Sequence, residues 1–140
     1  MLKGIDPMLT GDVLLALDRM GHSDLVVIAD AHFPAWRMGP VVIDIAGTSP
    51  RVVEAVISVL ALDDVHPVML MAAGTDAEGL RPALIAATGV APEATEVIDR
   101  SDFYSAAAGS SLILRTAEAG LNGNVILRKG VTPSAEGAAL

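Results

Sequence analysis

The chain has 140 residues, 52% of them hydrophobic, no cysteine, and a formal charge of −8 at pH 7. That length suits one domain with a core that needs no metal or disulfide support, and the missing thiols exclude disulfides, thiol catalysis and thiolate metal sites while fitting a cytoplasmic protein. Only nine Lys and Arg oppose seventeen Asp and Glu, so nucleic acid and anionic membrane are poor partners and a neutral small molecule is a better one.

The N-terminal "MLKGIDPMLTGD" lacks the apolar core of a signal peptide. Val13, Leu14, Leu17 and Met20 recur at helical spacing before Gly21, which predicts a helix over 11–20. "DLVVIAD" (24–30) is apolar on both faces, as a central strand of a parallel sheet is, and "VVIDIA" (41–46) is a second strand. In "SPRVVEAVISVLAL", Ser49 reads as N-cap and Pro50 as the first helical residue, with Val52, Val53, Val56, Val59 and Leu60 on one stripe.

"PVMLMAA" (67–73) is a further buried strand, with a helix expected within 77–88. Strands 41–46 and 67–73 each run through "AGT" toward a helix, which marks two successive βα units. "TEVID" (95–99) is a shorter strand, and Ser101 is placed to cap a helix reaching about Gly109. "SLILR" and "NVILRKG" are late strands around the loop "TAEAGLNGN", and the tail "TPSAEGAAL" is polar enough to be flexible. No run reaches the roughly 18 apolar residues of a membrane-spanning helix. The expected fold is α/β: one domain over 1–131, a mostly parallel sheet flanked by helices in Rossmann-like layers, and a flexible tail at 132–140.

Several polar groups stand where such folds place ligands. Asp30, His32 and Phe33 lie beyond the carboxyl end of a buried strand; an Asx turn before Pro34 explains Asp30 equally well. His22 follows the helix stop, where it either complements the carbonyl end of the helix or takes part in chemistry. The helix starts near Thr48 and Thr75 offer N–H groups to a phosphate, but neither junction carries a nucleotide-binding motif. The three histidines, His22, His32 and His66, lack paired zinc-ligand spacing. The Asn-Gly step of "LNGN" (121–124) suits positive φ, and its asparagines can recognise hydroxyls. The only aromatic residues are Phe33, Trp36, Phe103 and Tyr104, all close in sequence to Asp30 or Arg100. Scarce aromatics beside polar groups suit a sugar, which offers both C–H faces and hydroxyls.

"MGH" (20–22), "DAHFP" (30–34), "DR…FY" (99–104) and "GN-x-x-L-x-KG" (123–130), in this order, make the sequence resemble the L-fucose mutarotase / D-ribose pyranase family over nearly its whole length. "DAHFP…MGP" and Arg100 before "FY" are closer to the fucose branch. The resemblance implies an isomerase that interconverts α and β anomers of a free monosaccharide, with no cofactor and no metal. It implies His22 as catalytic acid/base and Asp30, Arg100, Asn122, Gly123 and Asn124 as sugar-binding residues, with His32 and Tyr104 as weaker candidates. Where the fucose branch carries Tyr-Gly-Asn, this chain carries Asn122-Gly123-Asn124.

The chemistry matches the residue types. Opening a cyclic hemiacetal takes a proton onto the ring oxygen and one off the anomeric hydroxyl, work suited to histidine. A strand over 24–30 spans roughly 20 Å at ~3.3 Å per residue, which holds His22 and Asp30 at opposite ends. Either the chain curls at Ser23 or Asp30, or two subunits share a site. The second is expected here, because the resemblance implies a ring-like homo-oligomer with sites at subunit contacts. The alternatives are a non-catalytic sugar-binding accessory protein of an uptake system and, third, a sugar-phosphate isomerase using the helix starts near Thr48 or Thr75.

Overall fold

The computed structural model describes residues 1–72 and 78–134. Helix α1 (Gly11–Arg19) buries Val13 and Leu17 and leads into strand β1 (Leu25–Ala29). A 3-10 turn (Ala35–Arg37) precedes strand β2 (Val41–Asp44) and helix α2 (Ser49–Ile57). Strand β3 (Val68–Met71) and helix α3 (Arg81–Thr88) follow; α3 stops at Gly89, whose φ of 69° is the left-handed conformation glycine adopts freely. A second 3-10 turn (Pro92–Ala94) enters strand β4 (Thr95–Ile98), then come helix α4 (Arg100–Ala108), strand β5 (Leu112–Arg115) and strand β6 (Val125–Arg128).

The six strands form one mixed sheet in the order β2-β5-β1-β6-β3-β4. β2, β5 and β1 are mutually parallel, as are β3 and β4, and β6 runs antiparallel between β1 and β3. The expected α/β domain is thus observed, with helices on both faces. Side chains of β1 alternate between the two faces, as the pleat requires. Val26 and Ile28 join Val13, Leu17, Val52, Val56 and Leu84 under α1, α2 and α3. Val27 and Ala29 join Phe33, Phe103, Ala107 and Ile126 under α4. Burial on both faces explains the unbroken apolar run of β1.

Two expected caps are corrected. Ser49 is the first residue of α2 and Thr48 its N-cap; the Thr48 side chain makes no capping bond, and a Glu118 carboxylate oxygen accepts from the Ser49 N–H instead. At α4 the N-cap is Asp99, not Ser101, and its side chain accepts from the Asp102 N–H. Val59 leaves the α2 stripe, because the helix ends at Ile57 and Val59 lies exposed beyond it. The second "AGT" (73–75), including Thr75, and the end of the tail (135–140) lie outside the described residues. Among the described residues, no helix is long and apolar enough to cross a membrane.

Candidate functional site

A cavity of about 340 Å³ opens beyond the carboxyl ends of β1 and β3, beside the start of α4. Asp30, His32, Arg100, Asn122 and Asn124 provide its polar wall. Phe33, Met71 and Leu121, with the Tyr104 ring, provide an apolar one. Seven of the residues singled out in the sequence, far apart along the chain, therefore meet here.

Asp30 is the buried anchor of this wall. Asn124 holds it at both ends of its own amide: Oδ1 accepts from the Asp30 N–H at 2.8 Å, and Nδ2 donates to Asp30 Oδ2 at 2.9 Å. The other Asp30 oxygen accepts from the His32 N–H at 3.0 Å, so the Asx turn is also present. Asn124 immediately precedes β6, whose pairing with β1 sets the register that brings the two residues together.

Arg100 opens α4 and lies exposed at the rim. Its Nε and Nη2 donate to Tyr104 Oη at 3.3 and 3.1 Å, and its guanidinium carbon lies 5.3 Å from the Tyr104 ring centroid. The (i, i+4) spacing on one helix face makes this contact possible. Phe33 packs edge-on against Tyr104 and Phe103, with centroid separations of 5.3 and 5.9 Å. Three of the four aromatics thus cluster as the sequence suggested. Trp36, 67% exposed, does not line the cavity.

In the 122–124 stretch, the positive φ expected at the Asn-Gly step falls on Asn122, at 59°. Asparagine tolerates that region better than most residues. Gly123 does not line the cavity; it is buried behind the wall, against Glu118, Asp30 and Ser49.

His22 is not part of this cavity. It precedes β1, at the end opposite Asp30, with its side chain 59% exposed and Nε2 3.2 Å from Asp63 Oδ2. The chain does turn at Ser23, with φ of 73°, and this turn sets the Ser23 hydroxyl beside the same carboxylate. The Val65 N–H foremost, then the His22 and Ser23 side chains among others, hold the Asp63 carboxyl below its usual range despite the opposing effect of burial. The carbonyl end of α1 is served by another group: Lys129 Nζ donates to Leu17 O at 2.9 Å and Met20 O at 2.6 Å. His22 is therefore left to Asp63 and solvent. His66 pairs with the Glu96 side chain. Among the described residues, no three His, Asp or Glu side chains converge as a metal site requires.

One residue at the base of the site escaped the sequence reading. Glu118 is buried behind Gly123 with both carboxylate oxygens on backbone N–H groups. A lone Glu in the polar loop "TAEAGLNGN" carries no pattern that separates it from a solvated residue.

A layered α/β sheet with a polar, aromatic-walled cavity at its strand ends is the arrangement in which α/β domains hold small ligands. The chain belongs to the RbsD / FucU transport protein family, whose sequence model matches residues 3–132. It is similar to the fucose mutarotase of Streptococcus pneumoniae, solved in complex with L-fucose, at 27% identity and a TM-score of 0.85, covering 94% of this chain and 99% of that one. It is similar to protein Atu2016, described as a candidate sugar-binding protein, at 34% identity and a TM-score of 0.86, covering 95% and 97%. It shares the fold of Bacillus subtilis RbsD, solved with D-ribose, at 22% identity and a TM-score of 0.76, covering 94% and 99%.

Proposed function

We propose that the protein is a cytoplasmic aldose mutarotase that interconverts the α and β anomers of a free monosaccharide, L-fucose or a related sugar. The observation that carries this reading is the Asp30 carboxylate, fixed by Asn124 and facing Arg100, His32 and Asn122 across an aromatic wall. Such a site sets hydrogen-bonding groups against hydroxyls and a ring face against C–H groups. Family membership and the likeness to an enzyme solved with L-fucose support the same reading.

In this mechanism Asp30 and Asn122 hold sugar hydroxyls and Arg100 donates to them. His22 delivers a proton to the ring oxygen as the C1–O bond breaks, while the anomeric hydroxyl gives its proton to water and becomes the carbonyl. Rotation about C1–C2 presents the other carbonyl face, and the reverse transfers close the ring. Such positioned proton transfer contributes roughly 10²–10⁴-fold. The same open aldehyde closes to a furanose when a different hydroxyl attacks, which is the route to pyranase activity. Since β1 separates His22 from the cavity of its own chain, the acid/base comes from a neighbouring copy in a ring-like homo-oligomer.

Saturation-transfer NMR between the anomeric protons tests this reading. The protein accelerates exchange for at least one of fucose, ribose, galactose or rhamnose, and His22→Ala does not. Unaltered exchange with all four sugars would sink it. A second reading, a sugar-binding protein without catalysis, is favoured by the likeness to Atu2016 and by the distance of His22 from the cavity within one chain; it predicts binding with unchanged exchange. A sugar-phosphate substrate is disfavoured at α2, because the Glu118 carboxylate already occupies that helix N-terminus.

A further inference from the structure

The carboxylate behind the cavity belongs to none of the roles assigned above. Glu118 is 8% exposed, in the loop between β5 and β6. One oxygen accepts from the Ser49 N–H at the start of α2, at 3.2 Å, and the other from the Gly120 N–H at 3.0 Å. Burying a carboxylate is costly unless donors replace its water. Here the positive end of the α2 dipole adds to the two N–H groups.

The Glu118 backbone is fixed as firmly. Its N–H donates to Thr116 Oγ1 at 3.1 Å, and its carbonyl accepts from the Ala31 N–H at 2.8 Å. Thr116 Oγ1 spends its single proton on Ala29 O at 2.8 Å, so at the 3.1 Å contact between Thr116 Oγ1 and Ser49 Oγ it is Ser49 that donates. The network therefore ties the start of α2 to the end of β1, next to Asp30.

Gly123 links this network to the cavity. A Cβ there would stand 2.8 Å from Glu118 Cγ, 3.1 Å from Asp30 Cβ and 3.2 Å from Ser49 Oγ. The backbone between Asn122 and Asn124 thus rests directly on Glu118 and Asp30, and only glycine allows that approach. We propose that Glu118 is a positioning residue for the sugar site: it pins the 118–124 loop to α2 and β1 so that Asn124 clasps Asp30 and Asn122 reaches the cavity. This role rests on reading the cavity as the sugar site, and its test includes a measurement that needs no sugar.

In Glu118→Gln the side chain keeps its volume but sets an NH₂ against a backbone N–H. Hydrogen exchange at the Asp30 amide, which donates to Asn124, reads the clasp directly. The control is Val53→Ala, a fully buried α2 position away from the cavity, with each variant measured equally far below its own Tm. Glu118→Gln exchanges the Asp30 amide about tenfold faster, the factor expected for losing one net hydrogen bond. It raises KM for the accepted sugar in similar proportion and leaves the pH profile of kcat in place. Val53→Ala does neither. Unchanged Asp30 exchange in folded Glu118→Gln, or equal acceleration in the control, overturns the role. If Glu118→Gln does not fold, Glu118→Asp, one methylene short of spanning both donors, carries the same comparison; failure of both to fold reduces Glu118 to a structural cap. If the wild type turns over no sugar, the mutarotase reading falls while Asp30 exchange still decides the case for Glu118.

Discussion

His22 and Asp30 bracket β1 from opposite ends, one before Leu25 and the other after Ala29, and only Asp30 lines the cavity. Their separation turns a question about one residue into a question about assembly. If His22 acts on a neighbour's sugar, inactive His22→Ala and Asn124→Ala chains rescue each other when mixed. Random pairing leaves about a quarter of the sites with both intact residues, so recovery of about that fraction of activity is expected. Verified mixed oligomers without any recovery would count against shared sites.

The clasp between Asn124 and Asp30 predicts a stability effect separate from turnover. Asn124→Ala removes both partners at once and strands a buried carboxylate oxygen and a buried N–H, at a cost of about 1–3 kcal/mol. The denaturation midpoint falls and the slope stays unchanged, since the surface exposed on unfolding is nearly the same. Asn124→Asp sets a second carboxylate against Asp30 and is more damaging at neutral pH. Urea unfolding of the two variants side by side checks the order.

Arg100 and Tyr104 predict the opposite split. Both lie at the rim, and their mutual contact is exposed, so Tyr104→Phe and Arg100→Lys change stability by less than about 0.5 kcal/mol. Binding is another matter. Lysine cannot reproduce the fork that places two guanidinium N–H groups on one phenol oxygen, and sugar affinity falls several-fold in Arg100→Lys while Tm stays put. Calorimetric titration with scanning calorimetry separates the two effects.

Asp63 predicts an acid-side signature. The Val65 N–H above all, with the His22 and Ser23 side chains helping, holds its folded-state carboxyl below the ordinary value of 3.8. The unfolded chain then binds more protons in acid, so the Asp63 contribution is complete above that value and lost as pH falls through the lower folded one. Asp63→Asn flattens this acid-side part of the stability curve, below about pH 5. Chemical denaturation across that range measures it.

The fold was legible where burial leaves a pattern. "LVVIA", "VMLM" and "VILR" announce central strands because both faces are covered. Continuous apolarity says nothing of direction, however, so the antiparallel seat of β6 between β1 and β3 was invisible. The polar wall was legible through Asp30, His32 and Arg100, which follow or open elements where ligands gather. The work of Asn124 was only half legible: an asparagine suits a hydroxyl, but its grip on Asp30 depends on a contact 94 positions away. Glu118 and the Lys129 cap were hidden for the same reason, since each meets backbone groups that no local spacing relates to it. The expected Ser49 cap erred by one position, because the capping carboxylate comes from the β5–β6 loop, 69 positions away.

β6 has a consequence for how the protein is born. Among the described residues it alone joins β2-β5-β1 to β3-β4, yet it is the last of their strands to leave the ribosome. Until residues 125–128 emerge, the sheet can form only as two halves whose inner edges, β1 and β3, are apolar and unpaired. Such edges invite pairing with other chains, and contacts this distant in sequence close slowly. Synthesis therefore passes through an interval of exposure to aggregation that ends only when the strand following Asn124 slots into place. The same event that seals the sheet delivers Asn124 to Asp30, so a chain whose translation stops before that strand lacks the clasped carboxylate altogether.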